Sequence, residues 1–241
     1  MKNIFAILFF LTCSSSCSKK GTDSLYFSIT DTMPPPSSAK KYQYLALGDS
    51  YTIGESVTPQ DNFPSQAAAM LKTDTSVVET RIIARTGWTT DELEEGIVSA
   101  NNATPLLAKY DFVSLLIGVN NQYRGRSVEN YKPEFEALLK KAIHYAANRP
   151  ERVVVLSIPD WGVTPFAEGR DKEQIARAID VYNASSKEIA MRYNVYYIDI
   201  TPWTREAATD LTLLATDGLH PSGKDYNRWA KAVAGYFKAK M

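Results

Sequence analysis

Tyr44-Leu45-Ala46-Leu47-Gly48-Asp49-Ser50-Tyr51-Thr52-Ile53-Gly54 is the stretch on which the fold turns. An apolar run that stops at Gly-Asp-Ser and continues to a second glycine reads as a strand giving way to a turn, with a hydroxyl at the strand's carboxyl end. Open α/β sheets place their chemistry at that edge. The same residues also suit the start of a helix, since Asp and Ser satisfy orphan backbone N–H groups at N-caps.

From Tyr42 onward, short β-rich runs alternate with longer helical ones, the pattern of parallel βαβ units. The runs predict strands over 42–47, 77–84, 111–117, 152–158 and 195–200, and helices over 63–73, 89–101, 128–148, 171–193 and 222–239. Phe112-Val-Ser-Leu-Leu-Ile and Val153-Val-Val-Leu are nearly continuous in apolar residues, as strands covered on both faces require. Val77-Val-Glu-Thr-Arg-Ile-Ile alternates and carries charge, which suits a sheet edge. The expected class is α/β, a three-layer sandwich around a five-stranded parallel sheet.

Composition narrows the function. The 241 residues carry 27 basic and 27 acidic side chains, and 44% are apolar, enough for one well-buried core. No block of Lys and Arg with interleaved aromatics is present, so nucleic acid is not an expected partner. Neither metal-ligand spacing nor a phosphate-cradling glycine loop occurs, so no metal and no cofactor is expected. Oligomeric state leaves no signature.

The first residues read as a leader. Lys2 precedes the apolar run Ile4 to Leu11, and small residues follow up to Cys17. Residues 1–16 are expected to be a signal peptide, 17–41 a tether containing Met33-Pro-Pro-Pro-Ser-Ser, and 42–241 the folded domain. Both cysteines fall at this end, and a cysteine after such a run resembles the lipobox of bacterial lipoproteins. Cys17, followed by Ser-Lys-Lys, leaves a polar start to the mature chain. Ser14 stands three before it where a lipobox has an aliphatic residue; for Cys13 that place is taken by Phe10. The expected location is extracytoplasmic, on a membrane through an N-terminal lipid; ordinary cleavage with secretion or periplasmic release is the alternative.

Only two histidines are present. In the helix predicted over 128–148, Phe135, Leu138, Leu139, Ala142 and Ile143 share a face and His144 points away from it, into solvent. His220 lies in Asp217-Gly218-Leu219-His220-Pro221. A loop turned back on itself would set the Asp217 carboxylate against one ring nitrogen and leave the other for Ser50, the arrangement acyl transfer needs. Asp-Gly is equally turn chemistry ahead of a proline that opens a helix.

Four blocks together resemble the SGNH hydrolases, also called GDSL-type esterases and lipases. They are Gly48-Asp49-Ser50 with Gly54, Arg85-Thr86-Gly87-Trp88-Thr89, Gly118-Val119-Asn120-Asn121, and Asp217 to Pro221, in that order and each but the last after a predicted strand. The resemblance implies the flavodoxin-like strand order 2-1-3-4-5. It also implies a serine esterase with Ser50 as nucleophile, His220 as base and then acid, and Asp217 as its orienter. Its oxyanion hole would be the backbone N–H groups of Ser50 and Gly87 with the Asn120 amide. Asn121 departs from the family's Gly-x-Asn-Asp block, which puts the hydrogen bonding of that loop in question. The serine also lacks the Gly-x-Ser-x-Gly elbow of α/β-hydrolases, excluding that fold.

Trp161, in the loop after the fourth strand, either walls the substrate site or packs under its own loop. Tyr123, Arg124 and Arg126 follow the third block and are candidates for substrate contact. The expected substrate is a small-molecule, carbohydrate or lipid ester. Two rivals stand beside hydrolysis: an acyltransferase with the same residues, and a glycan- or lipid-binding module that keeps the fold without turnover.

Overall fold

β1 (Lys40–Asp49) is an interior strand of the sheet, with its last six residues buried. In this computed structural model, which describes residues 39–241, β1 starts two residues before the expected domain boundary, so Lys40 and Lys41 pair in the sheet. The predicted leader, Cys13 and Cys17, and the rest of the tether lie outside the described residues.

After β1 come α1 (Ser50–Ile53), α2 (Phe63–Leu71), β2 (Ser76–Arg85), α3 (Thr90–Ala103), β3 (Phe112–Leu116), α4 (Val119–Tyr123) and α5 (Val128–Tyr145). β4 (Val153–Leu156), α6 (Lys172–Arg192), β5 (Tyr196–Ile198), α7 (Thr201–Arg205) and α8 (Gly223–Lys238) complete the chain. All strand pairs are parallel and the order is β2-β1-β3-β4-β5. The mixed-burial strand β2 is indeed an edge, while β3 and β4 are buried along their whole length.

Each face is closed by helices whose apolar stripes meet it. Phe237 of α8 stacks on Phe112 of β3 with ring centres 4.5 Å apart and meets Tyr44 of β1 edge-on at 5.4 Å. On the other face Tyr131 of α5 donates its hydroxyl to Ile117 O and packs on Tyr182 of α6 at 4.7 Å. Side chains this large contribute about 1.5–3 kcal/mol each on full burial. Ser114, the one polar residue of β3, is satisfied inside the core by the Tyr44 hydroxyl at 2.7 Å. His144 is exposed, on the side of α5 away from the sheet.

The strand order sets the site. Gly48 and Asp49 lie opposite Ala84 and Arg85 of β2, and Gly48 lies opposite Leu116 of β3. The residues that follow these three strands therefore emerge side by side. Gly48 is the close approach that permits it: a Cβ there would come within 2.1 Å of Thr52 Oγ1 and 2.5 Å of Leu116 O.

Candidate active site

Both readings of Gly48-Asp49-Ser50 apply at once. Asp49 caps the single turn α1, accepting the Tyr51 N–H at 3.0 Å, and Ser50 opens that turn. Ser50 is almost wholly buried yet lines a cavity of about 150 Å³, with His220, Gly87, Asn120, Tyr123, Trp161 and Phe166 around it.

The Asp217–His220 loop is a turn that also brings the carboxylate to the ring, but Pro221 does not open the helix as expected. Asp217 Oδ1 accepts the backbone N–H groups of Leu219 and His220 at 3.0 Å each, which folds the turn. Its Oδ2 lies 2.6 Å from His220 Nδ1. His220 Nε2 lies 3.0 Å from Ser50 Oγ, across 170 residues of sequence. Pro221 stands outside the following helix, whose N-cap is Ser222. A hydroxyl bonded to an imidazole whose other nitrogen is held by a carboxylate can pass its proton to the ring.

Partial burial pushes the Asp217 carboxyl up, but hydrogen bonds from His220, the Leu219 and His220 N–H groups and the Ser56 hydroxyl outweigh it and hold the group at about 2. Ser56, 2.7 Å from Oδ2, carries no sequence signal; it sits in the loop after α1 at φ 64°.

Gly87 N–H has no acceptor among the described residues, and its backbone stands at φ +83°. The nearest protein atom to a Cβ there would be Arg124 Nη2 at 3.6 Å, so glycine is required by the left-handed backbone rather than by protein crowding. Asn120 donates from Nδ2 to Trp88 O at 3.0 Å, while its second N–H is only loosely shared with Asp49 Oδ2 at 3.4 Å. Burial pushes the Asp49 carboxyl up to about 7, against the opposing hydrogen bonds from Tyr51 N–H, its own backbone and Asn120.

Asn121 is wholly buried: Oδ1 accepts the Thr90 N–H at 3.1 Å and Nδ2 donates to Thr90 Oγ1 at 2.7 Å, tying α4 to the start of α3. Trp161 packs in the core, with Nε1 donating to the Gln122 side-chain oxygen at 2.7 Å, and it also lines the cavity. Tyr123 forms the exposed rim, edge-on to Trp161. Arg124 does not line the cavity; it donates to Gly87 O at 2.6 Å and pairs with Glu92 at 3.0 Å, bracing the loop. Arg126 pairs with Asp91 at 2.6 Å. Phe166 lies beside Tyr123 on the same rim, ring centres 6.0 Å apart, in a loop whose sequence has no periodic pattern to mark it.

The sequence profile of the GDSL-like lipase/acylhydrolase family matches residues 46–236, from β1 to α8. The chain belongs to that family. Its curated relatives include an acetylxylan esterase of Geobacillus stearothermophilus, 28% identical over 123 residues, 47% of this chain and 53% of that protein. The chain thus spans about half the length of that curated relative. Among solved structures, a lipase/acylhydrolase from Enterococcus faecalis superposes with a TM-score of 0.58 at 22% identity, covering 82% of this chain and 96% of that one. An acetylxylan esterase from Geobacillus stearothermophilus gives 0.60 at 19%, covering 83% and 95%. At these identities the likeness is one of fold, and this family member has the SGNH hydrolase fold.

Proposed function

We propose that this acylhydrolase-family protein is a carboxylic ester hydrolase that forms an acyl-enzyme on Ser50. The observation that carries the reading is the unbroken line Ser50 Oγ to His220 Nε2 to Asp217, with contacts of 3.0 and 2.6 Å, opening onto a cavity. The unprotonated imidazole takes the Ser50 proton as Oγ attacks the ester carbonyl. Asp217, ionised across the working pH range, stabilises the imidazolium that results. Charge developing on the carbonyl oxygen meets the Gly87 N–H, the Ser50 N–H and the Asn120 amide, whose loosely held second N–H is free to turn inward. His220 then returns the proton to the leaving alcohol, and water repeats the sequence on the acyl-enzyme.

A cavity of about 150 Å³ favours a short acyl group such as acetyl. Its aromatic rim suits a carbohydrate alcohol better than a lipid chain, because sugar rings stack on aromatic faces and hydrogen-bond at their edges. The Geobacillus stearothermophilus acetylxylan esterase supports the same substrate class. Lys2, the apolar run to Leu11 and Cys17 support an extracytoplasmic site of action on a lipid anchor. Ser50→Ala is expected to abolish hydrolysis of p-nitrophenyl acetate while leaving thermal unfolding intact. Turnover retained by that variant would refute the assignment.

A further inference from the structure

A larger open cavity of about 400 Å³ adjoins the one over Ser50 and shares Tyr123 and Trp161 with it. The chemistry at Ser50 makes no use of it. Its charged lining groups differ in how far they are committed. Arg126 is paired with Asp91, and Asp171 caps α6 by accepting the Gln174 N–H at 2.8 Å. Arg170 has no carboxylate within ion-pair distance among the described residues. Its guanidinium instead lies 5.2 Å from the ring centres of both Tyr123 and Trp161 and 5.9 Å from that of Phe166, with one N–H on the Tyr123 hydroxyl at 3.3 Å.

Aromatic faces hold a guanidinium in place without neutralising it. A cation ordered in advance binds a carboxylate at lower entropic cost than one on a free stem, and the fork of N–H groups matches two oxygens at once. Arg170 also lies on the leaving-group side. The Phe166 N–H donates to Gly218 O at 3.3 Å, joining the loop of Phe166 and Arg170 to the loop that carries His220. The proton that releases the alcohol comes from His220, so the alcohol half of the ester lies toward that loop.

We propose that the larger cavity is the subsite for the alcohol half, and that it takes a sugar bearing its own carboxylate. The carboxylate pairs with Arg170, and the ring lies against Tyr123. This inference rests on the ester-hydrolase reading and adds the charge of the sugar to it.

Three acetate esters test it: p-nitrophenyl acetate, a monoacetylated methyl glucoside and the matching monoacetylated methyl glucuronide. The expected kcat/KM for the glucuronide exceeds that for the glucoside by about fivefold or more at low salt, mostly through KM. Added sodium chloride shrinks the ratio. Arg170→Met brings the ratio to about one whatever it does to absolute rates, and Arg170→Lys keeps part of it. Equal kcat/KM on the two sugars, or a ratio unmoved by Arg170→Met, would overturn the proposal. Calorimetric binding of the unesterified methyl glucuronide and methyl glucoside to the Ser50→Ala protein reads the subsite without turnover. Tighter glucuronide binding supports it and equal binding contradicts it, even if wild-type protein fails on p-nitrophenyl acetate, a result that would count against the ester-hydrolase reading instead.

Discussion

Asn121 occupies the place where the resembled block has an acid, and its contacts show what the exchange changes. With a donor as well as an acceptor it serves both the Thr90 N–H and the Thr90 oxygen, which frees the Thr90 hydroxyl to donate to Glu134. A carboxylate would accept from both and redirect that hydroxyl, and Glu134 would keep Asn130 as a partner at 2.8 Å. Asn121→Asp is therefore expected to fold and to retain activity within about tenfold. Asn121→Ala leaves the buried Thr90 N–H unpaired at about 1–3 kcal/mol, read as a fall in Tm; an unchanged Tm would contradict the role. Beside it, Asn120→Ala should lower kcat by about 10²–10³ through loss of one oxyanion donor, with Tm nearly unmoved. Ser50, His220 and Asp217 were legible because their blocks occur together, in one order, with those of Gly87 and Asn120; each block alone reads equally as a cap or a turn. Ser56, Phe166 and Arg170 were not, since what places them is three-dimensional: a hydroxyl on Asp217, a ring on the rim, a cation over three faces.

Elements long enough to show a period were read to within about three residues, because their apolar spacing is set by the face they bury. The exceptions are α1, α4 and α7, of four or five residues each, too short for any period to register. They matter because α1 and α4 carry Ser50 and Asn120. Each is fixed by what surrounds it: α1 by the Asp49 cap, α4 by Asn121 and by the Gln122 side-chain amide oxygen that holds Trp161. The turn between β2 and α3 has the same character. Its Gly87 backbone is left-handed, and α3 begins at once with the Thr89–Glu92 capping box. Gly87→Ala puts a Cβ on that left-handed backbone at about 1–2 kcal/mol, or it shifts the N–H away from the cavity. Urea unfolding and kcat measured together should show a modest loss of stability and a larger loss of rate. Loss of stability with full activity would contradict an oxyanion role for this turn.

At the scale of the molecule, the order β2-β1-β3-β4-β5 gathers residues from opposite ends of the chain at one edge of the sheet. The fold also buries the acids Asp49, at the end of β1, and Asp225, in the first turn of α8. Desolvation pushes Asp49 up to about 7, and it pushes Asp225 up to about 6 against the attraction of Arg228. Both hold more protons folded than unfolded between their ordinary value of 3.8 and those raised values, so their contribution to stability falls as pH rises through that window and is flat above about 7. Asp217 works in the opposite sense, contributing stability above its ordinary 3.8 that is lost as pH falls toward about 2. Urea unfolding at pH 5 and pH 8 should therefore show wild type losing more stability toward pH 8 than Asp49→Asn; parallel behaviour of the two proteins would contradict the burial argument. The central claim is that a covalent acyl group forms on one serine, and intact-mass spectrometry after a brief exposure to a fluorophosphonate, followed by peptide mapping, tests it most directly. One adduct on Ser50, lost in Ser50→Ala and strongly slowed in His220→Ala, is the predicted result. An unlabelled wild-type protein, or a label on any other residue, would contradict it.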